Sequence, residues 1–259
     1  MRSDNAADYQ SVPRPVAVMR KSFPTGVSTG EHSHIRGQVL YATSGLMLAQ
    51  TGNGAWAVPT GHALLLPPGL MHNVTMHGGV QMLTAYIAPD RWREIASPAC
   101  QVIVVSQLLD AALAALCEEP VVYSERGRGG HLAAIIMDEL RLAPDAELAL
   151  PLPASAKLRR ICDALLVAPG LGSGLDQWAE AAAMSRRSLT RLFRDETGLS
   201  FGEWRRRLRQ MHSLKLQAEG LVFKDIAGRV GYSSPQALRA MIKRDGRSRE
   251  RPQSRLASD

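Results

Sequence analysis

Short apolar runs separated by turn residues dominate the first third of the chain. The runs span residues 39–42, 46–50, 55–58, 63–66 and 81–87, and turns that contain Gly or Pro lie between most of them. Strands this short and this evenly spaced are typical of an antiparallel sandwich or barrel. The sequence Gly52-Asn53-Gly54 predicts a hairpin turn, because Gly and Asn tolerate positive φ.

Beyond residue 98 the apolar positions recur at helical spacing. Residues 105–117 and 131–142 each predict a helix with one apolar face, and residues 127–130 predict a loop between them. These apolar faces could pack on the barrel or pair two subunits. Prolines at positions 144, 151 and 153 predict a linker over residues 144–153, and we expect the domain boundary there.

The remainder of the chain predicts a pair of helices that occurs twice. A short helix over residues 175–182 is followed by a turn and a second helix over residues 186–197, and residues 223–230 and 235–244 repeat this arrangement. Ser185 and Ser234 suit the N-cap of each second helix, and Gly198 suits the end of the first one. A connector helix runs from the capping box of Ser200 and Glu203 to about residue 219. Each pair is a predicted helix-turn-helix, whose second helix can enter the major groove of DNA.

Charge is divided unequally along the chain. The 259 residues include 31 Lys+Arg and 24 Asp+Glu, which gives a net charge of +7. Residues 155–259 hold 21 basic and 11 acidic residues, a net charge of +10, whereas residues 1–154 have a net charge of −3. Six of the seven histidines lie before residue 155. This pattern indicates one domain with candidate metal ligands and a second domain suited to a polyanion such as nucleic acid.

Composition excludes several other classes of protein. Three cysteines without a Cys-x-x-Cys pair provide neither a disulfide framework nor a thiolate zinc site. No apolar run approaches the roughly 18 residues of a transmembrane helix, and the polar first ten residues do not resemble a signal peptide. We therefore expect a cytoplasmic protein with no membrane partner, in which residues 1–15 form a disordered leader.

Two patches in the apolar first half carry histidines at regular spacing. His32-Ser33-His34 places two imidazoles on one side of an extended strand, and Gln38 follows four residues later. The second patch is Gly61-x5-Pro67-x-Gly69-x2-His72. Together they resemble the two motifs of the cupin superfamily, a small jelly-roll β-barrel. The resemblance implies a metal site formed by His32, His34, Gln38 and His72, although Gln38 stands where enzymatic cupins usually place a carboxylate ligand.

Two interpretations of these four side chains remain open. Three imidazoles and one amide oxygen could hold a divalent transition metal such as Zn²⁺, Ni²⁺, Fe²⁺ or Cu²⁺. The missing carboxylate would weaken that binding. Alternatively, the side chains line a polar pocket for a small-molecule effector or satisfy local hydrogen bonds.

The repeated pair of helices resembles the DNA-binding domain of the AraC/XylS family of transcriptional regulators, in which one long helix joins two helix-turn-helix units. The resemblance rests on residues 182–194, Thr197-Gly198, and residues 225–227 and 231–235. A cupin-like sensor ahead of this domain is the family's usual arrangement. The resemblance implies a regulator that binds double-stranded promoter DNA and responds to a small molecule or metal. It leaves open a homodimer and a contact with RNA polymerase.

The same resemblance implies which side chains contact DNA. The residues expected to face bases are Arg187, Thr190, Arg191, Gln236, Arg239 and Ala240. The residues expected to bind phosphates are Arg194, Lys243 and the arginines of the connector. Each good bidentate contact, such as Arg to guanine or Gln to adenine, discriminates by about 1–3 kcal/mol. The chain departs from the family after residue 244, where a polar segment replaces the usual apolar residue, Gly, Pro and aromatic residue.

The predicted fold is α+β and multidomain, with an N-terminal cupin-like β-barrel (jelly roll) and a C-terminal all-α domain with two helix-turn-helix units. The expected parts are a leader (1–15), a sensor domain (16–98), a helical linker or dimerisation region (99–150), a DNA-binding domain (151–247) and a polar tail (248–259). The alternative is a metal-dependent cupin enzyme with an accessory nucleic-acid-binding domain, against which Gln38 argues. A purely architectural DNA-binding protein with an inactive sensor is a third hypothesis.

Overall fold

The computed structural model describes residues 3–95, 99–146 and 148–247, with side chains to residue 242. The chain divides into two compact units, Met1–Leu152 and Pro153–Asp259. The boundary therefore falls at the end of the predicted proline-containing linker. The predicted polar tail, residues 248–259, lies outside the described residues.

An antiparallel sheet forms the centre of the first unit. Its strands are β1 (Val16–Phe23), β2 (Gly37–Thr51), β3 (Gly54–Pro59), β4 (His62–Leu66), β5 (Asn73–Ile87), β6 (Gln101–Val104) and β7 (Ala149–Pro151). The order is β1-β5-β2-β3-β7, with β4 paired to both β2 and β6. One half of β2 lies between β4 and β5, and its other half lies between β3 and β5. The sheet thus wraps around a cavity, as expected for a cupin-like domain.

Two predicted strands are one continuous strand. Residues 39–42 and 46–50 both belong to β2, and the pairing of β2 with β5 shifts register on either side of Ser44. Gly45 has φ +79°, and a Cβ at this position would lie 2.9 Å from the Gly79 carbonyl oxygen. The expected turn at Ser44-Gly45 is therefore a β-bulge, which bends the strand without ending it. The predicted hairpin is confirmed, because Thr51 pairs with Gly54 across two turn residues.

Alternation along β2 and β5 separates the two faces of the sheet. Val39 and Tyr41 belong to the hydrophobic core, whereas Gln38 and Leu40 line the cavity. On β5 the same alternation places Leu83 and Ala85 in the core and Met82 and Tyr86 at the cavity. Period-two alternation is what a sheet with two different buried faces requires.

In the described part of the first unit, the α-helices that accompany the sheet are α1 (Pro89–Trp92), α2 (Gln107–Glu118) and α3 (Arg128–Leu142). The apolar faces of α2 and α3 are buried in the same core as the sheet, through Leu109, Leu113, Ile136 and Leu140 among others. These faces therefore pack on the barrel and are not available to pair two subunits.

The expectation of a separate linker over residues 99–150 is wrong. Both β6 and β7 lie in this region, and they pair with β4 and β3 respectively. Proline at 151 does not prevent this pairing, because β7 is a short strand at the end of the sheet. The predicted loop at 127–130 is also too long, since α3 begins at Arg128. Position 130, near the start of α3, requires glycine, because a Cβ there would clash with the Glu125 carbonyl oxygen at 1.8 Å.

The expectation of a disordered leader is wrong for the described residues 3–15. Residues Ala6–Tyr9 form a 3-10 helix. Tyr9 is 1% exposed, and its ring stacks on Tyr86 with centroids 6.0 Å apart. The buried Arg36 guanidinium donates hydrogen bonds to the carbonyl groups of Tyr9, Arg14 and Pro15. Tyr9 and Arg36 thus help to order the segment.

The second unit is helical in its described part. Its helices are α4 (Ala156–Val167), α5 (Leu175–Ala181), α6 (Arg186–Thr197), α7 (Phe201–Ala218), α8 (Phe223–Arg229) and α9 (Pro235–Arg247). The predicted N-caps are confirmed, since Ser185 Oγ accepts from the Ser188 N–H at 3.1 Å and Ser234 Oγ accepts from the Ala237 N–H at 3.2 Å. Gly198 ends α6 with φ +72°. Among the residues described, none of the helices is both long and apolar enough to cross a membrane.

Separate apolar clusters hold the two helix pairs. Phe193 of α6 packs edge-on against Phe201 and Trp204 of α7, with ring centroids 5.2 and 5.8 Å apart. Ile226 of α8 and Leu238 of α9 form the centre of the second cluster, and both are fully buried. The amphipathic pattern therefore buries one side of each second helix and leaves its other side exposed.

Candidate effector pocket and DNA-binding surface

A cavity of about 270 Å³ lies inside the wrapped sheet of the first unit. His32, His34, Gln38 and His72 line its polar side. The remaining walls are mainly apolar and include Met19, Leu40, Val74, Met76 and Met82. The four side chains predicted as metal ligands are thus brought together in one pocket.

Backbone pairing positions the histidines. His32 and His72 form an isolated antiparallel bridge, with N–H···O distances of 3.0 and 2.9 Å, and their rings lie 4.3 Å apart between centroids. His34 lies two residues after His32, and its ring is 4.9 Å from that of His32 and 5.5 Å from that of His72. The prediction of one shared side holds, but His32 and His34 lie in an extended segment before β2 and not in a strand.

Hydrogen bonds fix which ring nitrogen faces the cavity. His32 Nδ1 and His72 Nδ1 each lie 2.9 Å from a backbone carbonyl oxygen, of Gly30 and Leu70 respectively. Because a carbonyl can only accept, both Nδ1 atoms carry the proton, and both Nε2 atoms present a lone pair. The Nε2 atoms of His34 and His72 are buried and have no hydrogen-bond partner among the described residues. This is the tautomer in which histidine binds a metal through Nε2.

Gln38 completes the polar side with its oxygen. Its amide nitrogen donates to Thr84 Oγ1 at 3.2 Å and to the Tyr86 hydroxyl at 3.4 Å. Gln38 Oε1 is buried and has no partner among the described residues. Candidate ligand atoms of the three histidines all lie within 4.8 Å of one another. Leaving such polar atoms unpaired is costly, so the residues present fit a bound cation or a hydrogen-bonding ligand.

Burial keeps the imidazoles of His34 and His72 neutral. Burial, reinforced by the neighbouring His32 and His72, lowers the pKa of His34 to about 4. Burial is also the largest cause that lowers the pKa of His72. Both side chains are therefore uncharged near neutral pH, which is the state in which imidazole coordinates a metal or accepts a hydrogen bond.

Thr84 and Tyr86 belong to the candidate site but are not identified by the sequence motifs. They orient the amide of Gln38, and the Tyr86 ring also lies edge-on to His34 at 5.1 Å. Alternation along β5 was the available signal, because residues 82, 84 and 86 share one face. Alternation alone does not predict the register between β2 and β5, which places Gln38 directly opposite Tyr86.

The first recognition helix, α6, exposes three of its four predicted DNA contacts. Arg187, Arg191 and Arg194 are exposed on one side of the helix. Thr190 is half-buried, and its hydroxyl is 3.0 Å from the carbonyl oxygens of both Arg186 and Arg187. Its single proton is therefore used within the helix, and its methyl group and lone pairs remain for a base.

The second recognition helix, α9, exposes Gln236 and Arg239. The Arg239 guanidinium lies over the Phe223 ring, 5.2 Å from the centroid. Cation–π contact holds it against α8. The side chain of Lys243 lies outside the described residues.

The helical pattern predicts that the connector arginines, Arg205, Arg206, Arg207 and Arg209, all lie on the solvent side of α7. Two of them, Arg205 and Arg209, instead turn into the domain. Arg205 is half-buried and donates to the carbonyl oxygens of Ser173, at 3.0 Å, and Leu171. Arg209 Nε donates to the Pro169 carbonyl oxygen at 3.4 Å. Burial lowers the pKa of Arg205, and the charge of Arg209 adds to the effect. The helical pattern alone could not distinguish these arginines from solvated ones, because the loop that accepts their hydrogen bonds lies more than 30 residues earlier.

Family comparisons agree with the two units. Residues 20–136 match the family described as AraC-like ligand binding domain, and residues 178–245 match the family described as Helix-turn-helix domain. The first match begins in β1 and ends in α3, so it covers both the pocket and the helices packed on the sheet. The second match covers α6 and extends into α9, so it includes both predicted recognition helices.

Individual relatives are transcriptional regulators. The chain is 28% identical over 214 residues to the HTH-type transcriptional regulator NimR of Escherichia coli, covering 82% of this chain and 77% of that protein. It is 33% identical over 107 residues to the HTH-type transcriptional regulator RipA of Corynebacterium glutamicum, covering 41% of this chain and 32% of that protein. Among solved structures, the DNA-binding domain of AdpA in complex with a target DNA aligns with 39% of this chain and 100% of that chain, at 28% identity and a TM-score of 0.33.

These matches bear on the choice between a regulator and an enzyme. The regulators NimR and RipA and the helix-turn-helix match indicate a regulator and not a cupin enzyme. The chain thus combines an AraC-like ligand-binding domain with a helix-turn-helix domain, the arrangement of an AraC-family transcriptional regulator.

Proposed function

We propose that the pocket of the first unit binds a divalent transition metal as effector, alone or with a small molecule, and that its occupancy changes promoter binding by the second unit. The observation that carries the proposal is the set of buried polar atoms that have no hydrogen-bond partner among the described residues: Nε2 of His34, Nε2 of His72 and Oε1 of Gln38. Buried polar atoms are rarely left without a partner, so a bound ligand is expected to pair them.

The four side chains would hold the metal through neutral donors. Imidazole nitrogen is a good ligand for Zn²⁺, Ni²⁺, Fe²⁺ and Cu²⁺. The carbonyl groups of Gly30 and Leu70 would hold the rings of His32 and His72 in place from behind. Because none of the four donors is anionic, the ion would keep its full charge and attract an anionic group of a second ligand. The apolar walls would then surround the rest of that ligand.

Regulation requires that the effector bind two states of the protein with different affinity. The names of NimR and RipA, both HTH-type transcriptional regulators, support control of transcription as the output. We expect the protein to act in the cytoplasm, where promoter DNA is found. A contact with RNA polymerase remains a prediction.

A homodimer also remains a prediction, and the structure changes where its interface would lie. The inward faces of α2 and α3 are buried on the sheet. A dimer of the first unit would therefore have to use outer side chains, and Leu108 on α2 and Leu142 at the end of α3 are exposed apolar candidates at 53% and 80% exposure.

Bound metal can be measured directly. The full chain, purified without chelator, is analysed for metal by mass spectrometry, together with His34→Ala and His131→Ala. His131 is an exposed histidine on α3, outside the pocket, so it controls for the loss of any one imidazole. We expect close to one metal per chain in the wild type and in His131→Ala, and far less in His34→Ala.

Equal metal content in all three proteins would contradict the proposed site. Absence of metal from the wild type, even after incubation with Zn²⁺ or Ni²⁺ and gel filtration, would leave the pocket as a site for a metal-free small molecule. That outcome would refute the metal part of the proposal and keep the DNA-binding part.

A further inference from the structure

The loop before the first helix-turn-helix contacts the turn of the second through the backbone. Gly170 lies in the loop that precedes α5, the first helix of the first helix-turn-helix. Gly231 lies in the turn between α8 and α9 of the second helix-turn-helix. A Cβ on Gly170 would be 2.6 Å from the Arg229 carbonyl oxygen. A Cβ on Gly231, which has φ +81°, would be 3.0 Å from both Cα and O of Gly170. Only a residue without a side chain permits this approach.

Two arginines of α7, the connector helix, stabilise this contact. Arg209 donates to the Pro169 carbonyl oxygen, and its guanidinium lies over the ring of Tyr232, 5.2 Å from the centroid. One side chain therefore touches the loop before the first helix-turn-helix and the turn of the second.

Arg205 fastens the same loop one helical turn earlier. Its guanidinium donates to the carbonyl oxygens of Ser173 and Leu171. The Ser173 carbonyl also accepts from the indole N–H of Trp178, on α5, at 3.1 Å. The carbonyl group is thus shared between α5 and α7, which fixes the start of the first helix-turn-helix relative to the connector.

We propose that Arg205 and Arg209 are positioning residues that set the distance and angle between the two recognition helices, and so determine the spacing of the two DNA half-sites that the protein accepts. Their guanidinium groups are occupied by carbonyl oxygens and an aromatic ring, so they are not the phosphate contacts that their position on a basic helix suggests. The planar guanidinium suits this role, since it can donate in several directions and stack at once. This inference depends on DNA binding but not on the metal.

The test compares spacing dependence with salt dependence. A duplex selected from a randomised pool by the full wild-type chain is footprinted to locate the two major-groove contacts. Duplexes with one base pair added or removed between the contacts are then prepared. We expect the wild type to lose about tenfold in affinity per added or removed base pair, comparable to one mismatched position. The affinity of Arg209→Gln should fall less than about threefold across the series, because its two helix-turn-helix units can change their distance to match the altered spacing.

Salt dependence separates positioning from phosphate binding. Removing a phosphate contact lowers the slope of log K against log salt by about one. We expect that decrease for the control Arg194→Gln, which is exposed on α6, with its spacing dependence unchanged. We expect Arg209→Gln to keep the wild-type slope. A slope reduced by about one, with the spacing dependence retained, would overturn the inference.

Two further variants cover the case in which Arg209→Gln fails to fold. Arg209→Lys keeps the charge but has a single nitrogen, so a positioning role predicts weakened spacing dependence and a phosphate contact predicts wild-type behaviour. Gly170→Ala keeps both arginines and separates the backbones, so it should also bind the altered spacings more evenly. Wild-type spacing dependence in both variants, or equal binding of all spacings by the wild type, would refute the inference.

Discussion

Ala183 and Gly231 occupy the same position in the two helix-turn-helix turns. Each follows the short first helix by two residues and has left-handed backbone, with φ of 51° and 81°. The next residue in each turn donates its N–H back to the first helix, Met184 to Ala179 at 2.9 Å and Tyr232 to Ala227 at 2.8 Å. The two turns are thus built alike, but the first places a Cβ where the backbone disfavours one.

Replacing Ala183 by Gly should therefore stabilise the protein. Relief of the left-handed strain is partly offset by the greater freedom of Gly in the unfolded chain, which leaves a gain of about 0.5 kcal/mol. Ala183 is exposed, so no packing is lost. Urea unfolding of the full chain measures the change. The reciprocal variant, Gly231→Ala, should lose about 2 kcal/mol through strain and its close contact with Gly170. A loss of stability in Ala183→Gly would contradict this account of the turn.

Restoring a carboxylate in the pocket should strengthen metal binding. In Gln38→Glu the added negative charge would face the ion, and each 1.4 kcal/mol of extra attraction gives about tenfold in affinity. We expect an increase on the order of tenfold, measured by competition with a chelator of known affinity. Without metal, the same variant should be less stable than the wild type, since position 38 is 4% exposed and an unpaired buried carboxylate is unfavourable. Unchanged metal affinity would exclude residue 38 as a ligand.

The capping box at the start of α7 should make stability depend on pH. Hydrogen bonds from the hydroxyl and backbone N–H of Ser200 lower the pKa of Glu203 below its usual 4.5. The unfolded state therefore takes up the proton first, so this stabilisation is present above pH 4.5 and disappears as pH falls through the lower folded-state pKa. We expect Glu203→Gln to melt at a lower temperature than the wild type at pH 6, and the difference should shrink below pH 4.5. A difference independent of pH would show that charge has no part in the cap.

Two arginines of α6 should contribute to DNA binding in different ways. Arg187→Ala should lose about 1–3 kcal/mol of affinity for the selected duplex and relax the choice of base at one position, as expected for a base contact. Arg194→Ala should weaken binding to all sequences alike and reduce the salt slope by about one. Titrations of a matched and a mismatched duplex at several salt concentrations distinguish the two effects. Identical behaviour of the two variants would contradict the assignment.

Local chemistry made the helices of the second unit predictable. The Ser185 and Ser234 caps and Gly198 act within one turn of the residues they affect, and the observed α6 has the predicted bounds. The sheet was less predictable, because a glycine in a bulge and a glycine in a turn look alike in sequence. Gly45 was expected to end a strand, whereas contacts with Gly79, which is 34 positions away, make it a bulge. Strands β6 and β7 were missed for a similar reason, since their pairing partners lie far along the chain.

The residue types and spacing of the two motifs were enough to predict which side chains form the polar part of the candidate site. The motifs identified His32, His34, Gln38 and His72, and backbone pairing of His32 with His72 brings them together. The motifs could not show that Thr84 and Tyr86 occupy the amide nitrogen of Gln38 and leave its oxygen free. They also could not separate Arg205 and Arg209 from arginines that face solvent, because that depends on where the loop at residues 169–173 lies.

The affinity of the full chain for its selected duplex, with and without metal in the pocket, tests the central proposal most directly. The wild type and His34→Ala are each titrated with the duplex after loading with Zn²⁺ or Ni²⁺, and again in chelator. Coupling between two sites is commonly worth 1–3 kcal/mol, so we expect metal to change the wild-type affinity by about 5- to 150-fold. The affinity of His34→Ala should change less than about twofold. Equal affinity of the loaded and metal-free wild type, with one metal bound per chain, would contradict the proposal that the pocket controls DNA binding through a metal.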